Sequence, residues 1–107
     1  MKILFDQRTP ALLRRALPGH AVTTAFERDW SNLENGDLIR AAVTEGFDAM
    51  ITTDQNLKYQ QNLRGRKLAI LVLPTTSWPR IQERVEEVAA AVSSFKPGEY
   101  RELGFGG

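Results

Sequence analysis

The stretch "AMITTDQN", Ala49 to Asn56, begins as a buried strand and ends on two threonines, a carboxylate and two amides. A turn from strand to helix needs a single capping oxygen. Five consecutive oxygen-bearing side chains, Thr52 to Asn56, exceed that need. Two readings of Asp54 stand open at this point: the N-cap of a following helix, or a ligand in an ion site at the strand's end. The choice depends on what the rest of the chain brings to the same edge.

Upstream, "KILF" (residues 2–5) is short, apolar and partly β-branched, which suits a buried strand. Thr9-Pro10 supplies an N-cap and a proline at the first helical position. Leu12, Leu13, Ala16 and Leu17 mark one helix face before Pro18-Gly19 stops it. "HAVTTA" (20–25) reads as a second strand, and the polar loop after it holds Trp30. Asn35-Gly36 opens a helix with Leu38, Ile39, Ala42 and Val43 on one face and Gly46 at its end. Downstream of "AMITTDQN", residues 55–63 read as a short polar helix and "KLAILVL" (67–73) as a fourth strand. Ile81, Val85, Val88, Ala89 and Val92 recur at helical spacing on a last helix. Alternating strands and helices, with continuous apolar runs in strands one, three and four, predict an α/β fold: one three-layer α/β/α domain around a mainly parallel sheet of about four strands. Residues 1–95 form its core, and 96–107 a tail with a short edge strand near Tyr100.

The 107 residues are 42% hydrophobic and 25% charged, enough for one small core. Fourteen basic and thirteen acidic residues leave a net charge of +1, so any attraction to nucleic acid must be local. With no cysteine, thiol catalysis and thiolate zinc sites are excluded, and with His20 the lone histidine neither a histidine-based triad nor a multi-histidine metal site is expected. The three-residue apolar run of "MKILFDQRTP" is too short for a signal peptide or membrane span, so a soluble, cytoplasmic protein with no membrane contact is expected.

In a parallel sheet, ligands sit beyond the carboxyl ends of the strands. Asp6 follows strand one, Asp54 follows strand three, and Asp37 lies in the first turn of the second helix. Three converging carboxylates call for a neutralising cation or shared protons. Oxygen-only donors select a hard ion, Mg²⁺ or Mn²⁺. Thr9 already caps the first helix in this reading, which leaves Asp6 with no structural duty; its neutralisation should then leave the fold at least as stable. Glu34 is either a further ligand or a solvated loop residue, and Gln7 stands beside Asp6. Arg8, Thr53 and Asn56 are the candidate substrate contacts, and Lys58, Tyr59, Arg64, Arg66 and Lys67 a further polar and basic surface. His20, at the opposite edge, reads as structural. Trp30 either folds over the site or a partner, or plugs the core.

With strand, Asp6, helix, strand, Asp37, helix, strand and Thr53-Asp54 in that order, the chain resembles a PIN-like domain. It is most similar to the small PIN-like proteins of bacterial toxin–antitoxin modules. The matching pieces are "KILFDQRTP", "GHAV", "NGDLIRAA", "GFDAMITTDQN" and "LAILVL", which lie within residues 1–73. The resemblance implies a Mg²⁺- or Mn²⁺-dependent ribonuclease with catalytic and metal-binding acids at Asp6, Asp37 and Asp54. It also implies an RNA substrate and a cognate antitoxin as partners, and leaves a homodimer open. Relatives commonly carry acids where this chain has Gln7 and Asn56. That loss of charge supports an alternative, a PIN-like domain that binds RNA or a protein without cutting.

Overall fold

Successive residues of a β-strand face opposite sides of a sheet, and here both sides are apolar. Ile3, Phe5, Ala49, Ile51, Ala69 and Leu71 belong to one buried cluster; Leu4, Met50, Ile70 and Val72 belong to another. The sheet they define, in a computed structural model describing residues 1–55, 57 and 66–105, has five strands. They are β1 (Lys2–Phe5), β2 (Ala21–Thr24), β3 (Ala49–Thr52), β4 (Ala69–Val72) and β5 (Tyr100–Glu102). All pair in parallel, in the order β2-β1-β3-β4-β5. The three central strands are buried almost throughout and the two edge strands only in part, as expected of a parallel sheet covered on both faces.

Helix α1 (Asn35–Thr44) seals one face with Leu38, Ile39 and Ala42, although Val43, expected on that face, is turned to solvent. Its end is a Schellman motif: Gly46, at φ 76°, donates to the Val43 carbonyl at 3.2 Å, and Phe47 donates to Ala42 at 3.0 Å. Phe47 is thereby pinned in the core, edge-on to Trp30 at a centroid distance of 6.2 Å. Trp30 packs against this cluster, with the Arg28 guanidinium 4.6 Å above its ring. Trp30 is only partly buried, so it flanks the core and does not fill it.

The opposite face is covered by a 3₁₀ helix (Ala11–Ala16) together with α2 (Trp78–Gln82) and α3 (Val85–Ser93). Two expectations change here. The first helix is 3₁₀ and has Pro10, not Thr9, at its cap position, because the Thr9 hydroxyl is engaged elsewhere. The last helix is broken at Arg84 (φ −125°, ψ 20°), so its apolar residues reach the sheet from two shorter segments. The short edge strand expected near Tyr100 is β5, and beyond it Leu103 and Phe105 of the expected tail pack on the core. Most of the expected polar helix over 55–63 lies outside the described residues, although Leu57 is buried in the α1-side cluster. At the amino edge the terminal amine lies 3.1 Å from His20 Nδ1. Among the described residues, no helix is long and apolar enough to cross a membrane.

The fifth strand is tied in by Gly98, which sits at φ 77° and donates to the Lys67 carbonyl at 2.8 Å. A Cβ there would fall 2.5 Å from the Arg66 carbonyl oxygen, a rigid backbone atom. Gly98→Ala should therefore lower the unfolding free energy by about 2 kcal/mol or more, from left-handed strain plus overpacking. Gly104→Ala, which meets nothing within 4 Å, should change it by less than about 0.5 kcal/mol. Urea denaturation of both variants checks the contrast; equal stabilities would refute the role given to Gly98.

Candidate functional site at the carboxyl edge

The strand order places a switch point between β1 and β3: the connection leaving β1 runs to β2 on one side, and the one leaving β3 runs to β4 on the other. Clefts in parallel sheets open at such points, beyond the carboxyl ends. Asp6 follows β1 there, and Thr52, Thr53 and Asp54 end β3. The backbone ladder continues one step past β1, where Asp6 N donates to the Ile51 carbonyl at 3.1 Å.

Asp6 is only 3% exposed, and its carboxylate is a hydrogen-bond hub. Oδ1 accepts from the Thr9 hydroxyl at 2.6 Å, from Thr9 N at 2.9 Å and from Arg8 N at 3.3 Å. Oδ2 accepts from the Thr52 hydroxyl at 2.5 Å. Such charge-assisted bonds are about twice as strong as neutral ones. The assumption that Asp6 lacks a structural duty is therefore corrected: Thr9 does not cap the helix but binds Asp6, and its hydroxyl also lies 3.0 Å from the Ile51 carbonyl. Asp6 closes the turn from β1 and joins it to β3.

Asp54 is half-buried and stands next to this hub. Its backbone N–H donates to Thr52 Oγ1 at 3.2 Å, so the two aspartates are linked through one hydroxyl group. Between Thr52 and Asp54, Thr53 is 8% exposed, and its hydroxyl finds no hydrogen-bond partner among the described residues. Gln55 reaches back to the Thr53 and Leu73 carbonyls. The oxygen-rich end of "AMITTDQN" thus commits Thr52 to Asp6 and Gln55 to the Thr53 and Leu73 carbonyls.

The remaining candidates separate. Asp37 lies in the first turn of α1, which returns from the carboxyl edge; its exposed carboxylate pairs with Arg40 one turn along. Among the described residues, no three acidic or imidazole groups stand close enough to hold one ion. Glu34 occupies the N-cap position of α1, exposed and without a side-chain cap bond. Gln7 and Arg8 are exposed and line a cleft of about 510 Å³ with Asp6. Asn56 and the basic and polar residues Lys58 to Arg64 lie outside the described residues.

That cleft contains two aromatic residues not singled out in the sequence, Phe26 and Trp78. Phe26 follows β2 on a second 3₁₀ helix (Phe26–Arg28) and is 78% exposed; Trp78 opens α2. Only topology brings them to Asp6, so no local signal marks them. Next to Phe26, Glu27 accepts from Thr24 N and pairs with Arg14. The Thr24 backbone bond, with Arg14 second, holds the Glu27 carboxyl below its ordinary range. Arg14 is thus occupied, whereas the Arg8 side chain makes no ion pair among the described residues.

Removing the hub should be costly. Asp6→Ala leaves the buried Thr52 hydroxyl without its acceptor and removes the charge-assisted bonds to Thr9 and Arg8, and should reduce the unfolding free energy by about 3 kcal/mol; Asp6→Asn, which keeps one acceptor, should cost about 1 kcal/mol. Denaturant titration of both measures this, and an Asp6→Ala protein as stable as wild type would refute the hub. No family model matches the chain, and no curated protein or solved structure matches it either.

Proposed function

We propose that the protein is a divalent-metal-dependent ribonuclease of the PIN-like kind, working at the β1–β3 crevice. The observation that carries this reading is the linkage of Asp6 and Asp54 through the Thr52 hydroxyl at the switch point of the sheet. Mg²⁺ keeps much of its water and is commonly held by one or two carboxylates plus the phosphates of its substrate. A two-acid donor set therefore fits such an ion, and three converging acids are not required.

The donors present also fit a hard cation in kind: carboxylate oxygens of Asp6 and Asp54, with the buried, unpartnered Thr53 hydroxyl between Thr52 and Asp54. Asp6 retains acceptor capacity on Oδ2, which takes a single bond. When bound, such an ion supplies positive charge against the charge that develops on a phosphodiester during hydrolysis. The chain's own contribution is orientation. Thr9 and Thr52 hold the Asp6 carboxylate in one rotamer, and Thr52 fixes the backbone from which Asp54 projects. Arg8 offers a cation for a neighbouring phosphate. Asp37, neutralised by Arg40, contributes at most a distant field. In the same proposal the protein is the toxin of a cytoplasmic toxin–antitoxin pair.

A second reading has its own observation. Both oxygens of Asp6 already accept hydrogen bonds, which is what a purely structural carboxylate would show. A PIN-like domain that binds RNA or a protein without cutting would keep this hub and need no ion.

Cleavage of labelled single-stranded RNA in Mn²⁺ separates the two. Asp54→Asn should slow cleavage by about 100-fold or more, whereas Asp37→Asn should stay within about threefold of wild type. Thr53→Val removes an unsatisfied hydroxyl, so it should leave stability unchanged or slightly raised while lowering activity. A ligand that binds only the native state raises its melting temperature. Absence of both cleavage and a Mn²⁺-induced thermal shift at millimolar ion would leave the non-cutting module as the correct reading.

A further inference from the structure

We propose that the cleft beside Asp6 and the groove adjoining it form one track for two successive nucleotides of an unpaired strand, with Trp78 as the shared wall. This rests on the RNA reading above and identifies where the strand runs. The first cleft, of about 510 Å³, holds Arg8, Phe26 and Trp78; the second, of about 490 Å³, holds Arg15, Leu12 and Trp78 again. Each lies within the 300–1,000 Å³, roughly, of small-ligand pockets.

The chemistry of the two spaces repeats: one arginine and an aromatic face in each. Protein surfaces that hold single strands combine cations for the backbone with aromatic rings on which successive bases stack. Phe26, at 78% exposure, is available for such stacking and is not among the core residues. Trp78 packs on the core along part of its ring yet lines both spaces. Arg15 is exposed and makes no ion pair among the described residues, in contrast to its neighbour Arg14, which Glu27 holds. Charge complementarity supports the same occupant. No acidic residue lines the second groove, and the single acid of the first, Asp6, is buried with its oxygens turned to Thr9 and Thr52. A paired base cannot offer its face to Phe26 or Trp78, so a duplex is a poor fit.

Fluorescence anisotropy with a labelled eight-nucleotide oligouridine, in EDTA so that nothing is cut, tests the track. Phe26 and Arg15 are exposed, so Phe26→Ala and Arg15→Gln should melt with wild type. Each should weaken binding by about 5- to 100-fold, the range for losing one stacked base or one phosphate contact. Arg15→Gln should also reduce the slope of log affinity against log salt by about 1. A hairpin duplex should bind about tenfold or more weaker than the single strand.

Wild-type affinity in both variants, or a hairpin bound as tightly as the single strand, overturns the track. So does an absence of RNA binding by wild type. Self-association that Phe26→Ala abolishes, without RNA binding, would assign this face to a second copy of the chain and equally overturn it. Binding that weakens as expected in a protein that never cuts in Mn²⁺ upholds the track and removes the ribonuclease. Cutting indifferent to both substitutions does the reverse.

Discussion

The Asp6 carboxylate is the joint on which the carboxyl edge of this sheet is assembled. A buried charge is tolerated only where donors surround it, and here four donors are recruited. Thr9 gives its hydroxyl and its backbone N–H, Arg8 its N–H, and Thr52 its hydroxyl from the adjacent strand. The consequences spread from this point. Because Thr9 is engaged, the following helix starts at Pro10 without a side-chain cap and winds as 3₁₀. Because Thr52 is engaged, the exit of β3 is held against β1, and Asp54 takes its position relative to Asp6.

This arrangement gives one residue two duties that pull in different directions. As a hub, Asp6 gains from having its oxygens saturated. As a prospective ion ligand it needs capacity left over, which survives on Oδ2 alone. The neighbouring Thr53 shows the opposite state, a buried hydroxyl with no partner among the described residues. Buried polar groups are almost always paired, and an orphan of this kind is kept at a cost in stability. A carboxylate rich in donors and a hydroxyl without a partner among the described residues, at the ends of adjacent strands, distinguish this edge from a plain strand-to-helix turn.

Much of the framework was legible from local pattern. The apolar runs at 2–5, 49–52 and 67–73 marked the three central strands, because burial on both faces leaves no polar alternation. Gly46 marked the end of α1, since only a left-handed residue closes a Schellman motif without strain. Other elements were not legible. Thr9-Pro10 carries a strong helix-start signal, and the charged Asp6 three residues upstream, with the Ile51 carbonyl of the adjacent strand, outbid it. The apolar spacing from Ile81 to Val92 is equally compatible with one helix or two, because both present the same residues to the sheet. In segment 96–107 the short edge strand expected near Tyr100 does form, as β5 on β4, but the packing of Leu103 and Phe105 on the core carried no local signal.

The amino-acid order alone established an α/β domain, the location of its central strands, and the presence of acids at their carboxyl ends, because hydrophobic periodicity and residue type are properties of neighbouring positions. Pairings between distant positions were decided only by folding: Asp6 with Thr52, and Phe26 and Trp78 beside one cleft, while Asp37 keeps to its own helix with Arg40. A residue's chemistry is written locally. Its partner is chosen by whichever donor, charge or wall the packed sheet and helices bring within a few ångströms.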